Sequence, residues 1–187
     1  MIKVAIIDNY DSFTYNLVHY IEPMVDELYV FRNDEIDWEA LTNVSHILLS
    51  PGPGLPEDSN DLMNVIDKFH VTHSILGVCL GHQALAVYFG MQLSNLNRVK
   101  HGVTSKINIL NNDVLFRNLP INFNIGHYHS WGVGPVEPPL IPIALNEEGL
   151  LMAFRHEKLK LFGIQFHPES ILTEHGKLIL KNWLFIC

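Results

Sequence analysis

Apolar positions follow two different patterns along the chain. In the first half, short apolar runs alternate with stretches of helical period. Ile2–Ile7 is a β-branched run ending at Asp8-Asn9, which predicts a buried strand feeding a loop. Asp11-Ser12 offers a helix N-cap, and Phe13, Leu17, Tyr20 and Ile21 recur at helical spacing up to Pro23. Leu28–Phe31 and Ile47–Leu49 predict two more strands. The second is cut off by Ser50-Pro51-Gly52-Pro53-Gly54-Leu55-Pro56, which can be neither helix nor strand. A helix over roughly 60–70, a strand at Ser74–Val78 and a helix from Leu80 to about Phe89 complete this half. Such alternation predicts a parallel sheet covered on both faces.

The second half changes character. Lys106–Leu110, Phe123–Tyr128, Ile141–Leu145, Leu150–Arg155 and Leu161–Phe166 are short strands separated by turn residues, with a hairpin around Glu157-Lys158. Thr173–Phe185 closes the chain as an amphipathic helix with Leu178, Ile179 and Trp183 on one side. Trp38 and Trp183 read as core or interface aromatics. The pattern as a whole predicts a mixed sheet with antiparallel additions.

Length and charge narrow the function. At roughly 150 residues per domain, 187 residues make a single domain, 1–187, with room for a three-layer core. Charged residues are 17% and apolar ones 48%, which argues against disorder. A net charge of −8 with no Lys/Arg block argues against nucleic acid as the main partner. The most apolar stretch, Ile75 to Leu93, is interrupted by His82, Gln83 and glycines, so no membrane span is expected. Val4–Ile7 is too short for a signal-peptide core, and the expected location is cytoplasmic. Cys79 and Cys187 are far apart with no CxxC pair, so neither a disulfide framework nor a cysteine zinc site is implied.

The chemistry is concentrated at Gly77-Val78-Cys79-Leu80-Gly81-His82-Gln83. A strand that turns abruptly into a helix holds its corner residue in a strained conformation, and the flanking glycines let neighbouring backbones pass closely. This is the G-x-S-x-G nucleophile elbow with sulfur in place of oxygen. A helix N-terminus favours the thiolate, and the Leu80 N–H points the same way, towards a developing oxyanion. A lone Cys is usually a buried structural residue; the two glycines at a strand-to-helix change favour a nucleophile.

A nucleophile needs a base and a group that orients it. Of 11 histidines, His167 stands out in Gln165-Phe166-His167-Pro168-Glu169-Ser170. In extended backbone, positions i and i+2 share a side, so Glu169 can hold the His167 ring, and Pro168 keeps His167 out of helical angles. Taken alone, that pattern is common at strand ends. The Pro-Gly loop around Gly52 offers backbone N–H groups at little entropy cost and a second oxyanion donor opposite Leu80, although prolines alone would suggest only a rigid turn.

These pieces lie in the order of a known family. With Asp8-Asn9-Tyr10-Asp11-Ser12-Phe13-Thr14-Tyr15-Asn16, Arg32-Asn33-Asp34, His101-Gly102, Tyr128-His129-Ser130 and Gln165 to Thr173, the chain resembles the class I (triad-type) glutamine amidotransferases. Within them it is similar to the small subunits (component II) of anthranilate synthase and aminodeoxychorismate (para-aminobenzoate) synthase. The resemblance implies a flavodoxin-like α/β fold: an open mixed sheet, mostly parallel, flanked by helices, with antiparallel additions in the C-terminal half. It implies hydrolysis of L-glutamine to glutamate and ammonia, which a large chorismate-binding subunit uses. It makes Cys79 the nucleophile, His167 the base and Glu169 its orienter, with Gly52 and Leu80 as the oxyanion hole. Gly54, Gln83 and the backbone at Ser130 and Trp131 become substrate-binding. No metal or organic cofactor is needed. Two departures stand out: His127 where the family usually has Arg, and Ser59-Asn60 where it has a small Ala-Gly pair.

Rival readings are weaker. His127 and His129, at i and i+2, could hold a metal, but no His-x₃-His helix pair or Cys cluster supports it. His82 reads as a packing and hydrogen-bonding residue rather than a second base. A free-standing γ-glutamyl cysteine hydrolase of the same fold would need a cleft wide enough for a peptide. A non-enzymatic regulatory subunit would have no reason to keep Cys79, His167 and Glu169 together. Without a partner to order the loops around Cys79, the chain is expected to be a poor glutaminase.

Overall fold

The structure is a computed structural model that describes residues 1–185, the side chains of residues 97 and 98 excepted. Cys187, expected to be unpaired, lies outside the described residues.

Five strands run in parallel: β1 (Lys3–Asp8), β2 (Glu27–Arg32), β3 (His46–Leu49), β4 (Ser74–Val78) and, from late in the chain, β9 (Leu161–Ile164). Their order, β2-β1-β3-β4-β9, is the flavodoxin-like 2-1-3-4-5 arrangement with β9 in the fifth place. Beyond β9 the sheet continues antiparallel through β8 (Leu151–His156), β7 (Leu140–Asn146), β5 (Leu93–Ile109) and β6 (Asn122–Val133), nine strands among the described residues. The open mixed sheet with antiparallel additions is therefore present. The hairpin around Glu157-Lys158 joins β8 to β9.

Period-2 alternation divides the core between the two faces. From β1, Val4 and Ile6 join one cluster, where Leu17 and Ile21 of α1 (Thr14–Ile21) meet Ile179 and Trp183 of α5 (Gly176–Phe185). Ala5 and Ile7 face the other way, towards Leu62, Val65 and Ile66 of α3 (Leu62–Phe69) and Leu85 of α4 (Leu80–Tyr88). Each such aliphatic side chain, withdrawn fully from water, contributes about 1.5–3 kcal/mol. Trp183 is completely buried and keeps its indole N–H satisfied by donating to Ser74 Oγ at 3.1 Å. No described helix is long and apolar enough to cross a membrane.

Several expected boundaries move, each for a local reason. Asp11-Ser12 does not cap α1. Asp11 Oδ2 instead accepts from Phe13 N–H, while Asp8 Oδ1 accepts from Asp11 N–H and the Thr14 hydroxyl, so two carboxylates brace the loop and the helix starts at Thr14. Phe13 is left 41% exposed rather than in the core. Strand β5 begins at Leu93, well before Lys106, because its polar first part is held by a ladder to β6 and needs no apolar alternation. A short helix, α2 (Trp38–Thr42), follows an N-cap in which Asp37 Oδ1 accepts from Glu39 and Ala40. Trp38 is half-buried, stacked on Phe69. At the end of the chain α5 starts at Gly176 rather than Thr173, with Leu178 only half-buried.

Candidate active site

The C-terminal ends of β1, β3, β4 and β9 open onto one edge of the sheet, the side where parallel sheets place their ligands. Cys79 sits there between β4 and α4, at φ 52° and ψ −100°, a left-handed backbone region that costs a non-glycine residue about 1–3 kcal/mol. Close packing holds it in place. A Cβ on Gly77 would lie 2.3 Å from the Gly81 carbonyl oxygen, and one on Gly81 would lie 2.4 Å from the Leu49 oxygen on β3. Both glycines are thus required by the close approach expected from the sequence. The Cys79 N–H donates to Ile164 O at 2.9 Å, tying the elbow to β9.

The Cys79 side chain faces a cavity of about 270 Å3 whose wall includes Tyr10, Gly52, His101, Tyr128 and His167. Leu80 opens α4, so its N–H is one of those with no carbonyl partner in its own helix. Gly52 lies against it: a Cβ there would fall 2.6 Å from Asn9 Cβ and 2.9 Å from Leu80 Cδ2. Asn9 locks this corner. Its N–H donates to Ser50 Oγ at 2.9 Å, and its side-chain amide donates to Ser50 O at 2.8 Å.

His167 reaches Cys79 from the segment after β9. Its N–H donates to Gly126 O on β6 at 3.2 Å, and Pro168 is pressed so tightly on α5 that a Cβ on Gly176 would overlap the Pro168 oxygen. His167 Nδ1 lies 2.6 Å from Glu169 Oε1, with the two side chains only 3% and 1% exposed. A carboxylate only accepts, so Nδ1–H donates and Nε2 is left for the sulfur. Nε2 is buried beside the Cys79 sulfur. Burial alone would hold the imidazole neutral. The Cys79 sulfur beside it and the Glu169 carboxylate outweigh that and raise its pKa to about 10.

The folded pKa of His167 lies above its ordinary 6.5, so the stability it contributes is complete below about 6.5 and is lost as pH rises through about 10. In Cys79→Ala the sulfur's contribution disappears, and burial pulls the ring back down. Denaturant unfolding at pH 6.5 and pH 10 should show a smaller pH effect in the variant. An NMR titration should place the His167 midpoint lower in the variant than in the wild type.

The remaining expected residues are spread around this centre. Gly54 is exposed at φ +80° with open space around it, and does not line the cavity. Gln83 is buried, its side-chain N–H₂ donating to Trp131 O at 3.0 Å and to Gln165 Oε1 at 3.1 Å. Ser130 and Trp131 are half-buried on β6 and do not line the Cys79 cavity. His82 packs on Phe154, and burial lowers its pKa to about 3 against a hydrogen bond to the Gly163 backbone that acts the other way. Among the described residues, no group of three or more His, Cys, Asp or Glu side chains is placed to hold a metal ion.

Two features went unassigned in the sequence. Gln165 donates to Cys79 Sγ at 3.6 Å, and its signal was the same period-2 spacing that aligned His167 with Glu169. Tyr128 stacks edge-on against both His167 (4.9 Å) and His101 (5.3 Å) and walls off a second cavity, of about 420 Å3, that runs past Asn16, Tyr20 and Glu169. The Ser59-Asn60 departure also has a structural role. Asn60 takes the left-handed φ of 46° and donates to Asn33 Oδ1 at 2.9 Å, and Asn33 donates on to Asn9.

The sequence profile described as glutamine amidotransferase class-I matches residues 5–187. Anthranilate synthase component 2 of Pyropia yezoensis is 42% identical over 186 residues, covering 97% of this chain and 98% of that one. Anthranilate synthase component 2 of Mycobacterium tuberculosis is 41% identical over 192 residues, covering 99% and 82% respectively. In fold, a crystal structure from Thermoplasma acidophilum superposes with a TM-score of 0.89 at 24% identity, covering 100% of this chain and 94% of that one.

Proposed function

Since the chain belongs to the class-I glutamine amidotransferase family, we propose that Cys79, His167 and Glu169 hydrolyse the side-chain amide of L-glutamine. The observation that carries this reading is His167, clamped by a buried Glu169 at 2.6 Å and raised to about 10 beside the Cys79 sulfur. The thiolate attacks the carboxamide carbon, and the electron pair moves to oxygen, which the N–H groups of Gly52 and Leu80 stabilise. The intermediate then collapses with cleavage of the C–N bond, the imidazolium protonates the departing nitrogen, and ammonia leaves a glutamyl thioester. Neutral His167 takes a proton from water, whose oxygen attacks the thioester. Cleavage of the C–S bond returns the thiolate, the imidazolium and glutamate. Gln83 and the backbone at Ser130 and Trp131 hold the substrate's amide side chain and amino-acid end. None of these steps requires a metal or organic cofactor.

The ammonia goes to a large chorismate-binding subunit, as the names of the relatives suggest. The product is anthranilate, aminodeoxychorismate or both, according to the partner's own active site. Tyr10, Phe13 and Ile171 are exposed at the walls of the two cavities and form the apolar face for that partner. Glutamine labelled with 15N at the amide tests the assignment. In the presence of chorismate and the large subunit, the label should appear in the aminated product, and glutamate release should rise well above that of the chain alone. Equal release with and without every such subunit would favour a free-standing γ-glutamyl hydrolase.

Glu169→Gln should lower the rate of glutamate release by about 10²–10⁴-fold, because the amide can present its N–H₂ to Nδ1 and favour the wrong tautomer. Steady-state rates measured beside the unaltered chain check this. A loss of less than about tenfold would remove Glu169 from the machinery.

A further inference from the structure

Strands β5 and β6 pair at Lys100↔His129 and again at Asn95↔Trp131, but between these pairs β5 has four residues and β6 only Ser130. The ladder is therefore broken at the backbone that the proposed reading assigns to glutamine's amino-acid end. A row of buried side chains spans the gap. Ser105 Oγ lies 2.6 Å from His127 Nε2, and His127 Nδ1 lies 3.0 Å from His129 Nε2. His129 Nδ1 lies 2.7 Å from Trp131 O, which also accepts from Gln83. His127 is wholly buried and His129 nearly so.

The far end of the row sets its direction. A carbonyl only accepts, so His129 donates from Nδ1, and in the neutral ring its Nε2 must accept. His127 then donates from Nδ1 and accepts at Nε2, and the Ser105 hydroxyl donates. Both rings stay neutral: burial lowers His127 to about 3 and His129 to about 4, and Lys100 and His167 also oppose a further positive charge. The Trp131 carbonyl favours charge on His129, and Glu148 favours it on His127, but neither prevails.

We propose that His127 and His129 are positioning residues for the glutaminase reaction: as Nδ1–H tautomers they fix the Trp131 carbonyl and thereby hold the Ser130–Trp131 N–H groups towards the substrate. The proposal rests on the glutaminase reading. It gives His127, where the family usually has Arg, a function in this chain.

Side-chain 15N NMR of the intact protein reads the tautomers directly, and both rings should be in the Nδ1–H form. Either ring in the Nε2–H form would overturn the proposal. In kinetics, His129→Leu should raise KM for glutamine about tenfold, the loss of one buried hydrogen bond, with kcat changed by less than about threefold. His129→Asn, whose side-chain N–H₂ stands where Nδ1 stood, should restore KM. An Asn variant as impaired as the Leu variant, or an unchanged KM in the Leu variant, would overturn the proposal. Failure of the glutaminase reading has a separate signature: undiminished glutamate release by Cys79→Ala with both histidines in place.

Discussion

Cys79→Ala should lower glutamate release by about 10⁴-fold or more, the scale on which removal of a covalent nucleophile acts. Ser or Ala at this position leaves Leu80 N–H, Gly52 N–H and His167 in place, so residual turnover would measure what the oxyanion donors and binding achieve alone. Near pH 10, where the raised pKa of His167 no longer contributes, stability should change little by comparison. The left-handed φ of 52° strains Ala as it strains Cys, and the sulfur already faces a cavity, so its removal opens little new void in the core. Glutamate assays paired with thermal unfolding separate the two quantities. A variant that unfolds, or one that retains full activity, would contradict the assignment.

The second large effect is on folding. Gly81→Ala should destabilise the protein by at least about 3 kcal/mol, because the new methyl would lie 2.4 Å from the Leu49 carbonyl oxygen and 2.6 Å from Leu49 Cβ. Both are fixed atoms of a central strand, so no rotamer change relieves the overlap. The same holds for Gly77→Ala, which meets the Gly81 carbonyl at 2.3 Å. For a chain of this size, about 3 kcal/mol lowers the melting temperature by roughly 6–12 °C. Gly149→Ala is the control. It also has a positive φ, +77°, but nothing lies within 4 Å, so only the conformational cost of about 1–2 kcal/mol applies. If Gly81→Ala melted no lower than Gly149→Ala, the elbow would be looser than its packing indicates.

The parallel half of the fold was legible because β1, β3, β4 and β9 carry apolar runs between turn residues, as strands buried on both faces must, and the half-buried edge strand β2 keeps the apolar run Leu28–Phe31. Cys79, His167 and Glu169 could be read for a related reason: an elbow needs its glycines, and a clamped histidine needs i+2 spacing. The ribbon of β5 from Leu93 to Ser105 was not legible. It is largely polar, and its pairing with β6 depends on residues far along the chain. The row Ser105–His127–His129 was hidden with it, since a carbonyl partner such as Trp131 O leaves no mark in the sequence. The cap of α1 was misread because Asp8, at the end of a strand, reaches Thr14 across a turn whose geometry no local propensity describes.

An electrophilic glutamine analogue, with a chloroketone in place of the carboxamide, tests the central claim most directly. Incubated with the intact chain and mapped by mass spectrometry, it should label Cys79 once, and excess glutamine should protect the residue. Labelling at another residue, or labelling of Cys79 that glutamine leaves unaffected, would contradict the account.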